Sequence, residues 1–322
     1  MPIEERQIAG WRALTLENEA LRVTILPDKG ADVYELVDLV SGVDPLFKAP
    51  WGLQPPGSAP REGSGELEFL WNYEGTWQEL FPNVNGAATY RSETVPFHGE
   101  VATLPWDVTA EGDALRCSVR CRVTPFRLER LMRLDGGRLL LDERVTNESD
   151  DPAHFVWGHH CVLGPPFLEA GCRLHVPAGA VETLDELWEQ TARLEPAQRE
   201  TWPHARLRRG GTVDLSVVPG PEERSHDDVY LGDLEGGWAA VENPRLGLSF
   251  RLEWDPAVFR RVIVWQPYGG AREQPLAGAY ALGVEPWVTS LNLEQAVGAG
   301  EAIELPGGAS LDTIVQARFE RS

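Results

Sequence analysis

Apolar and polar residues alternate with a period of two along much of the chain. The clearest run has apolar residues at 115, 117, 119, 121 and 123, with Arg116, Ser118, Arg120 and Arg122 between them. This period is that of a β-strand with one buried and one polar face. Asp135-Gly136-Gly137 follows a second such run and predicts a hairpin turn into a return strand from Leu139. The pattern therefore indicates antiparallel pairing.

Similar short runs predict further strands and very little helix. The predicted strands span residues 12–17, 20–26, 32–38, 101–109, 153–161, 212–218, 227–233, 238–242, 246–254, 259–266, 280–288 and 313–320. A short helix is predicted over 184–193 and a further helical turn over 293–297. Segments 52–66 and 195–211 are predicted to be long surface loops, which in compact β-proteins are often functional.

The succession of short strands and turns predicts an all-β fold, either an antiparallel β-sandwich or a large superbarrel. No repeat of 20–50 residues and no shift in composition marks a second domain, so we expect one β-domain over 1–322. A chain of 322 residues is long enough to bury a large core without disulfides or structural metals.

The net charge and the cysteine content limit which binding partners and which cellular compartment we expect for the protein. The net charge of −21 opposes binding to nucleic acid or anionic lipid. The first residues lack a signal-peptide pattern, and no apolar run reaches membrane-spanning length, so we expect a cytoplasmic protein. The four cysteines, which we expect to be reduced and mostly buried, form no Cys-x-x-Cys pair and are Cys117, Cys121, Cys161 and Cys172.

Aromatic content and missing motifs narrow the chemistry. The chain has 12 tryptophans, which favour an aromatic pocket or surface in addition to a core. It has no phosphate-binding glycine loop, no dinucleotide fingerprint, no His-Glu-x-x-His and no Gly-x-Ser-x-Gly motif. We therefore expect neither a metal nor an organic cofactor.

Histidines stand at two conspicuous places. His98, between Phe97 and Gly99, could donate a hydrogen bond into a cleft; on spacing alone, a capping or surface histidine is the favoured alternative. His159 and His160 are adjacent in a predicted strand, so their side chains should face opposite sides and should not share a metal. One of them suits general acid or base chemistry, and a structural role is the alternative for each.

Acidic residues stand at two more places. Glu285 lies in an apolar strand before Pro286 and Trp287, where burial would raise its pKa; an ion pair with an arginine at a sheet edge is the alternative. Asp227 and Asp228 stand at the start of the predicted strand 227–233, where they would either hydrogen-bond the hydroxyl groups of a ligand or cap a turn.

These four segments, in this order, resemble the aldose 1-epimerase (galactose mutarotase-like) superfamily. The opening strand pair around 21–31, in which a glycine follows an apolar strand, is also similar, and the resemblance extends over about residues 12–320. It implies a large antiparallel β-sandwich. Arg91 matches the family's arginine only weakly, because the surrounding Asn-Arg motif is not intact here, so the chain resembles a divergent branch.

The resemblance also implies roles for individual residues. Glu285 resembles the general base, and His160 resembles the catalytic acid, because a short apolar stretch follows it; His159 is the alternative. The residues implied in sugar binding are His98, Arg91, Asp227 or Asp228, and a stacking indole from Trp287, Trp77 or Trp157.

The implied activity is the interconversion of α and β anomers of a free aldose by acid–base ring opening and closure. The expected partner is a small sugar, bound by a monomer or homodimer. Three alternatives remain: a non-catalytic carbohydrate-binding protein, an epimerase of a phosphorylated hexose, which needs arginines at the mouth of its site, and a lyase or hydrolase. A hydrolase requires a second carboxylate roughly 5–10 Å from Glu285.

Overall fold

The computed structural model describes residues 3–59, 65–187 and 189–321, and strands dominate it. The strands of the described residues are β1 Glu4–Ile8, β2 Trp11–Glu17, β3 Leu21–Leu26, β4 Asp32–Asp38, β5 Trp77–Leu80, β6 Ala88–Tyr90, β7 Glu93–Val95, β8 Asp107–Glu111, β9 Ala114–Arg120, β10 Phe126–Asp135, β11 Arg138–Asn147, β12 Ala153–Phe155, β13 Gly158–Leu163, β14 Arg173–His175, β15 Ala178–Thr183, β16 Arg199–Thr201, β17 His204–Arg206, β18 Thr212–Asp214, β19 Ser225–Leu234, β20 Trp238–Asn243, β21 Leu248–Trp254, β22 Arg261–Tyr268, β23 Leu282–Gly283, β24 Glu285–Trp287, β25 Ile303–Leu305 and β26 Ser310–Arg321. The α-helices are α1 Glu66–Asn72 and α2 Leu293–Ala299, and single 3₁₀ turns lie at Val101–Thr103 and Pro221–Glu223.

Two large antiparallel sheets form a sandwich, which confirms the predicted fold. The larger sheet has the order β1-β2-β3-β4-β5-β13-β24-β22-β19-β15-β16, with β23 also paired to β13. The second has the order β14-β20-β21-β26-β11-β10-β9-β8. Strands β2 and β3 pack against β10 and β11, so the apolar core lies between the two sheets.

Alternation determines which side chains enter this core. Leu115, Cys117 and Val119 of β9 are buried, while the polar residues between them are more exposed. β10 and β11 pair from Phe126 with Asn147 to Asp135 with Arg138, so the predicted hairpin turn is confirmed.

Of the two predicted helical segments, one is a helix in the structure and the other is not. The described residues of 184–193 contain no helix; instead, the Asp227 carboxylate accepts hydrogen bonds from the backbone N–H groups of Arg193 and Leu194, at 2.8 and 3.1 Å. The turn predicted over 293–297 is the helix α2. Asn292 and Gln295 cap it reciprocally at its start.

Three predicted segments also need correction. Residues 60–64 of the predicted loop 52–66 lie outside the described residues, and helix α1 begins at the last residue of that loop, Glu66. The expected loop 195–211 contains β16 and β17. The predicted strand 101–109 is a 3₁₀ turn followed by β8. Neither α1 nor α2, the helices of the described ranges, has the length and apolarity needed to cross a membrane.

Candidate functional site

A cavity of about 260 Å³ opens on the face of the larger sheet that points away from the second sheet. Its floor comes from four strands that are neighbours in the sheet, β13, β24, β22 and β19. The floor side chains are His160, Glu285, Trp287, Ile263, Trp265, Asp228 and Tyr230. Because side chains two residues apart share a face, each strand contributes alternate residues.

Helix α1 and several loops form the walls. The wall side chains are Glu66, Phe69 and Leu70 of α1, then Tyr73, Asn85, Phe97, His98, Leu184 and Leu276. Among the described residues that line the cavity there is no lysine or arginine. The cavity thus combines aromatic and aliphatic walls with a few polar groups, as small-molecule sites generally do.

His160 and Glu285 meet at the floor. His160 Nε2 lies 3.7 Å from Glu285 Oε1, and Glu285 is 1% exposed. Burial raises the pKa of Glu285 well above its usual value, and the charge of Asp228 raises it further. Burial lowers the pKa of His160 to about 4. A proton shared by the pair is therefore held on the carboxyl group, with a neutral imidazole beside it.

Two glycines create room for these side chains. A Cβ atom on Gly283 would lie 2.3 Å from Glu285 Oε1, and one on Gly158 would lie 2.4 Å from Trp287 Cδ1. Side-chain crowding therefore explains glycine two residues before Glu285, and glycine opposite Trp287 across the β13–β24 pair.

His98 completes a histidine pair at the cavity wall. Its ring centre lies 5.6 Å from that of His160 and 4.7 Å from that of Phe69. Its backbone φ of 57° is left-handed, which is unfavourable for a non-glycine residue and is concentrated at functional sites. Burial, followed by the charge of His160, lowers its pKa well below the usual value. A neutral His98 can donate one hydrogen bond and accept another.

Asp228 supplies the second carboxyl group of the floor. It is paired with Trp265 across the β19–β22 register, and no described residue is a hydrogen-bond partner of its Oδ1 atom. Burial, followed by the charge of Asp227, raises its pKa to about 7. Trp265 is oriented by His226, because its Nε1 donates to His226 Nε2 at 2.8 Å.

Two predicted sugar-binding residues do not line the cavity. Asp227 points to the other face of β19, where it accepts a hydrogen bond from Arg193 Nε at 2.8 Å. Arg91 is exposed and its guanidinium donates to the carbonyl of Pro152. Because adjacent residues of a strand point to opposite faces, Asp228 lines the cavity and Asp227 does not. The short motif that suggested Arg91 as a sugar-binding residue did not show where its side chain lies.

His159 lies on the opposite face of β13 from His160, buried between the sheets. Its Nε2 is 3.1 Å from Glu143, and its Nδ1 accepts from Trp77 Nε1 at 3.2 Å. Arg130 forms ion pairs with both Glu143 and Glu79. His159 therefore belongs to the interior, as do Trp77 and the fully buried Trp157.

This interior cluster does not suit a metal ion. Glu79, Glu143 and His159 are the only described group whose potential ligand atoms lie within 4.8 Å of one another. The guanidinium of Arg130 already supplies a positive charge to both carboxylates, so a cation would have to displace it. Arg130 and His159 lower the pKa of Glu143 to about 2 against the opposing effect of burial.

Several lining residues could not be predicted from the sequence. Tyr230 and Trp265 follow from alternation once Asp228 and the strand partner of β19 are known. Phe69 and Tyr73 had no sequence pattern to reveal them, because α1 is only seven residues long and has no side-chain N-cap. Its Phe69 packs against the rings of His98 and Tyr73, so tertiary contacts stabilise it.

Known structures share this architecture. The Slr1438 protein from Synechocystis sp. PCC 6803 is 18% identical with a TM-score of 0.71, and the match covers 98% of this chain and 99% of that one. A galactose mutarotase-like protein from Lactobacillus casei is 18% identical with a TM-score of 0.65, covering 96% and 100%. Another from Clostridium acetobutylicum is 16% identical with a TM-score of 0.67, covering 100% and 99%.

These similarities establish the galactose mutarotase-like fold. The comparison with curated proteins found no match. The family described as "Domain of unknown function (DUF4432)" matches residues 8–318. The chain therefore belongs to the DUF4432 family, with the fold of the galactose mutarotase-like proteins.

Proposed function

We propose that this protein is an aldose 1-epimerase-like enzyme, a single domain acting in the cytoplasm on a free aldose. The observation that carries the proposal is the buried His160–Glu285 pair, 3.7 Å apart, at the floor of a cavity. The cavity is slightly smaller than the roughly 300–1,000 Å³ of drug-sized sites, which suits a single sugar ring.

Anomer exchange requires two proton transfers, one at each of the two oxygen atoms bonded to C1. A base takes the proton of the O1 hydroxyl, an acid protonates the ring oxygen, the bond from C1 to the ring oxygen breaks and C1=O1 forms. Rotation about C1–C2 and the reverse transfers close the ring with either configuration. One proton shared by His160 and Glu285 is sufficient, because each transfer out is balanced by a transfer in.

Glu285 is proposed as the base and His160 as the acid. Before sugar binds, the pKa values favour the proton on Glu285. For Glu285 to act as the base, that proton must move to His160, over 3.7 Å, when sugar binds. Sugar hydroxyls that donate hydrogen bonds to Glu285 stabilise its ionised form and drive that transfer. Binding and activation of the pair are thereby linked.

The remaining floor and wall residues hold the ring. His98 and Asp228 offer hydrogen-bonding groups to sugar hydroxyls, and the indoles of Trp265 and Trp287 offer faces for its C–H surface. Positioning of this kind supplies a large share of the rate in reactions without a cofactor. The lack of lysine and arginine among the described lining residues disfavours a phosphorylated hexose.

The test is Glu285→Gln, which removes the base and keeps the shape. Anomer exchange of a panel of aldoses is measured by NMR and polarimetry, and we expect a fall of about 10²–10⁴-fold with the fold retained. Glu19→Gln, an exposed carboxylate in the turn before β3, is the matched control. Wild-type exchange in Glu285→Gln would contradict the proposal. Sugar-dependent tryptophan fluorescence without any exchange would favour the carbohydrate-binding alternative.

A further inference from the structure

The cavity has an unusual balance of charge. Two carboxyl groups lie at its floor, those of Asp228 and Glu285, and the described lining residues include no lysine or arginine. The nearby cation Arg193 is bound to Asp227 on the other face of β19. Among the described lining residues, therefore, no basic side chain balances the two carboxyl groups of the floor.

Burial makes this imbalance costly. Glu285 is 1% exposed; burial raises its pKa, and the charge of Asp228 raises that pKa further. The Oδ1 atom of Asp228 has no hydrogen-bond partner among the described residues. A further negative charge in the cavity would increase the repulsion. A positive charge beside Asp228 would relieve it and allow the carboxylate to ionise.

The walls also favour a cation. Tyr73, Tyr230 and Trp265 line the same cavity, and the faces of such rings attract ammonium groups. The net charge of the whole chain, −21, further attracts cations and repels anions during encounter.

We propose that the site selects its sugar by charge: it binds aldoses that carry an ammonium group in preference to neutral aldoses, and rejects aldoses that carry a carboxylate or phosphate. The ammonium group lies against Asp228 and the rings of Tyr230 and Trp265. The anomeric end lies at His160 and Glu285, and this part of the inference rests on the proposed function.

The test compares sugars that differ only in charge. Four sugars of the gluco series and four of the galacto series are titrated into the protein at pH 7: the 2-amino-2-deoxy aldose, the parent aldose, the uronic acid and the 6-phosphate. Binding is measured by tryptophan fluorescence and by isothermal titration calorimetry. We expect the amino sugar of the accepted series to bind about tenfold more tightly than the parent, the effect of relieving one pKa unit. The anionic sugars should bind at least about tenfold more weakly than the parent.

A variant pair locates the selectivity. Asp228→Asn should reduce the preference for the amino sugar about tenfold and improve binding of the uronic acid, while Glu19→Gln, with the same change in net charge, should leave the order unchanged. Equal binding of amino and neutral sugars, or of neutral and anionic sugars, would overturn the inference.

Measuring anomer exchange on the same panel separates the two proposals. Exchange without any order by charge overturns the charge selectivity alone. Binding in the order amino, neutral, anionic without exchange overturns the proposed enzyme activity but supports the charge selectivity.

Discussion

Replacing Asp228 with asparagine should stabilise the protein, and more so as the pH rises. Asp228 is half-buried, with its Oδ1 atom out of contact with solvent, and burial raises the pKa of its carboxyl group from 3.8 in the unfolded chain to about 7 in the folded protein. The folded state therefore holds a proton that the unfolded state has lost between these pH values. Stability from this group is fully present below pH 3.8 and is lost as the pH rises through 7.

The size of the effect follows from the two pKa values. At pH 8 both states are ionised, so the difference of about three units costs about 4 kcal/mol. At pH 5 the folded carboxyl is neutral, whereas the pH lies about one unit above the pKa of the unfolded carboxyl, so the cost is about 2 kcal/mol. Asparagine does not titrate. The advantage of Asp228→Asn over wild type should thus grow by about 2–3 kcal/mol from pH 5 to pH 8.

Urea denaturation of both proteins at pH 5 and pH 8 measures this difference. Effects of the amide that do not depend on pH cancel in the comparison. Asp113→Asn, at an exposed position in the turn between β8 and β9, is the matched control and should show no such growth. An equal stability change at both pH values would refute the burial argument for Asp228.

Two further substitutions test the geometry of the site. Gly283→Ala should displace the carboxylate of Glu285, because the new Cβ atom would lie 2.3 Å from Glu285 Oε1. We expect anomer exchange, measured by NMR, to fall about 10²-fold. The control Gly298→Ala should leave exchange unchanged, because its Cβ atom would meet nothing within 4 Å. Arg91→Ala should leave both exchange and sugar affinity unchanged within about twofold, since Arg91 lies outside the cavity; a large rise in the sugar Kd would contradict that placement.

The sequence predicts the structure best where a local pattern is compatible with only one structure. Alternation predicted the strands and an all-β fold, and the family resemblance implied the sandwich. The resemblance also singled out His160 and Glu285, two residues that the structure brings together. Strand parity implied that His159 and His160 face opposite sides, but not which of them faces the cavity. That depends on which face of β13 contacts the second sheet.

Long-range packing accounts for the rest. Asp227 and Asp228 could not be separated without the register of β19 against β22. Helix α1 was missed because it is short and its stability depends on Phe69 packing between rings from distant segments. Arg91 was misplaced because a short match says nothing about where a side chain points.

The order of strands at the cavity floor has a consequence for how the protein acquires its site. β13, β24, β22 and β19 are neighbours in the sheet, yet β13 and β24 are separated by more than a hundred residues along the chain. Pairings between such distant segments form slowly, because a long loop must close first. During synthesis, no ribosome-bound fragment ending before β24 can hold both His160 and Glu285. The ability to bind sugar should therefore appear late in folding, together with closure of the large sheet.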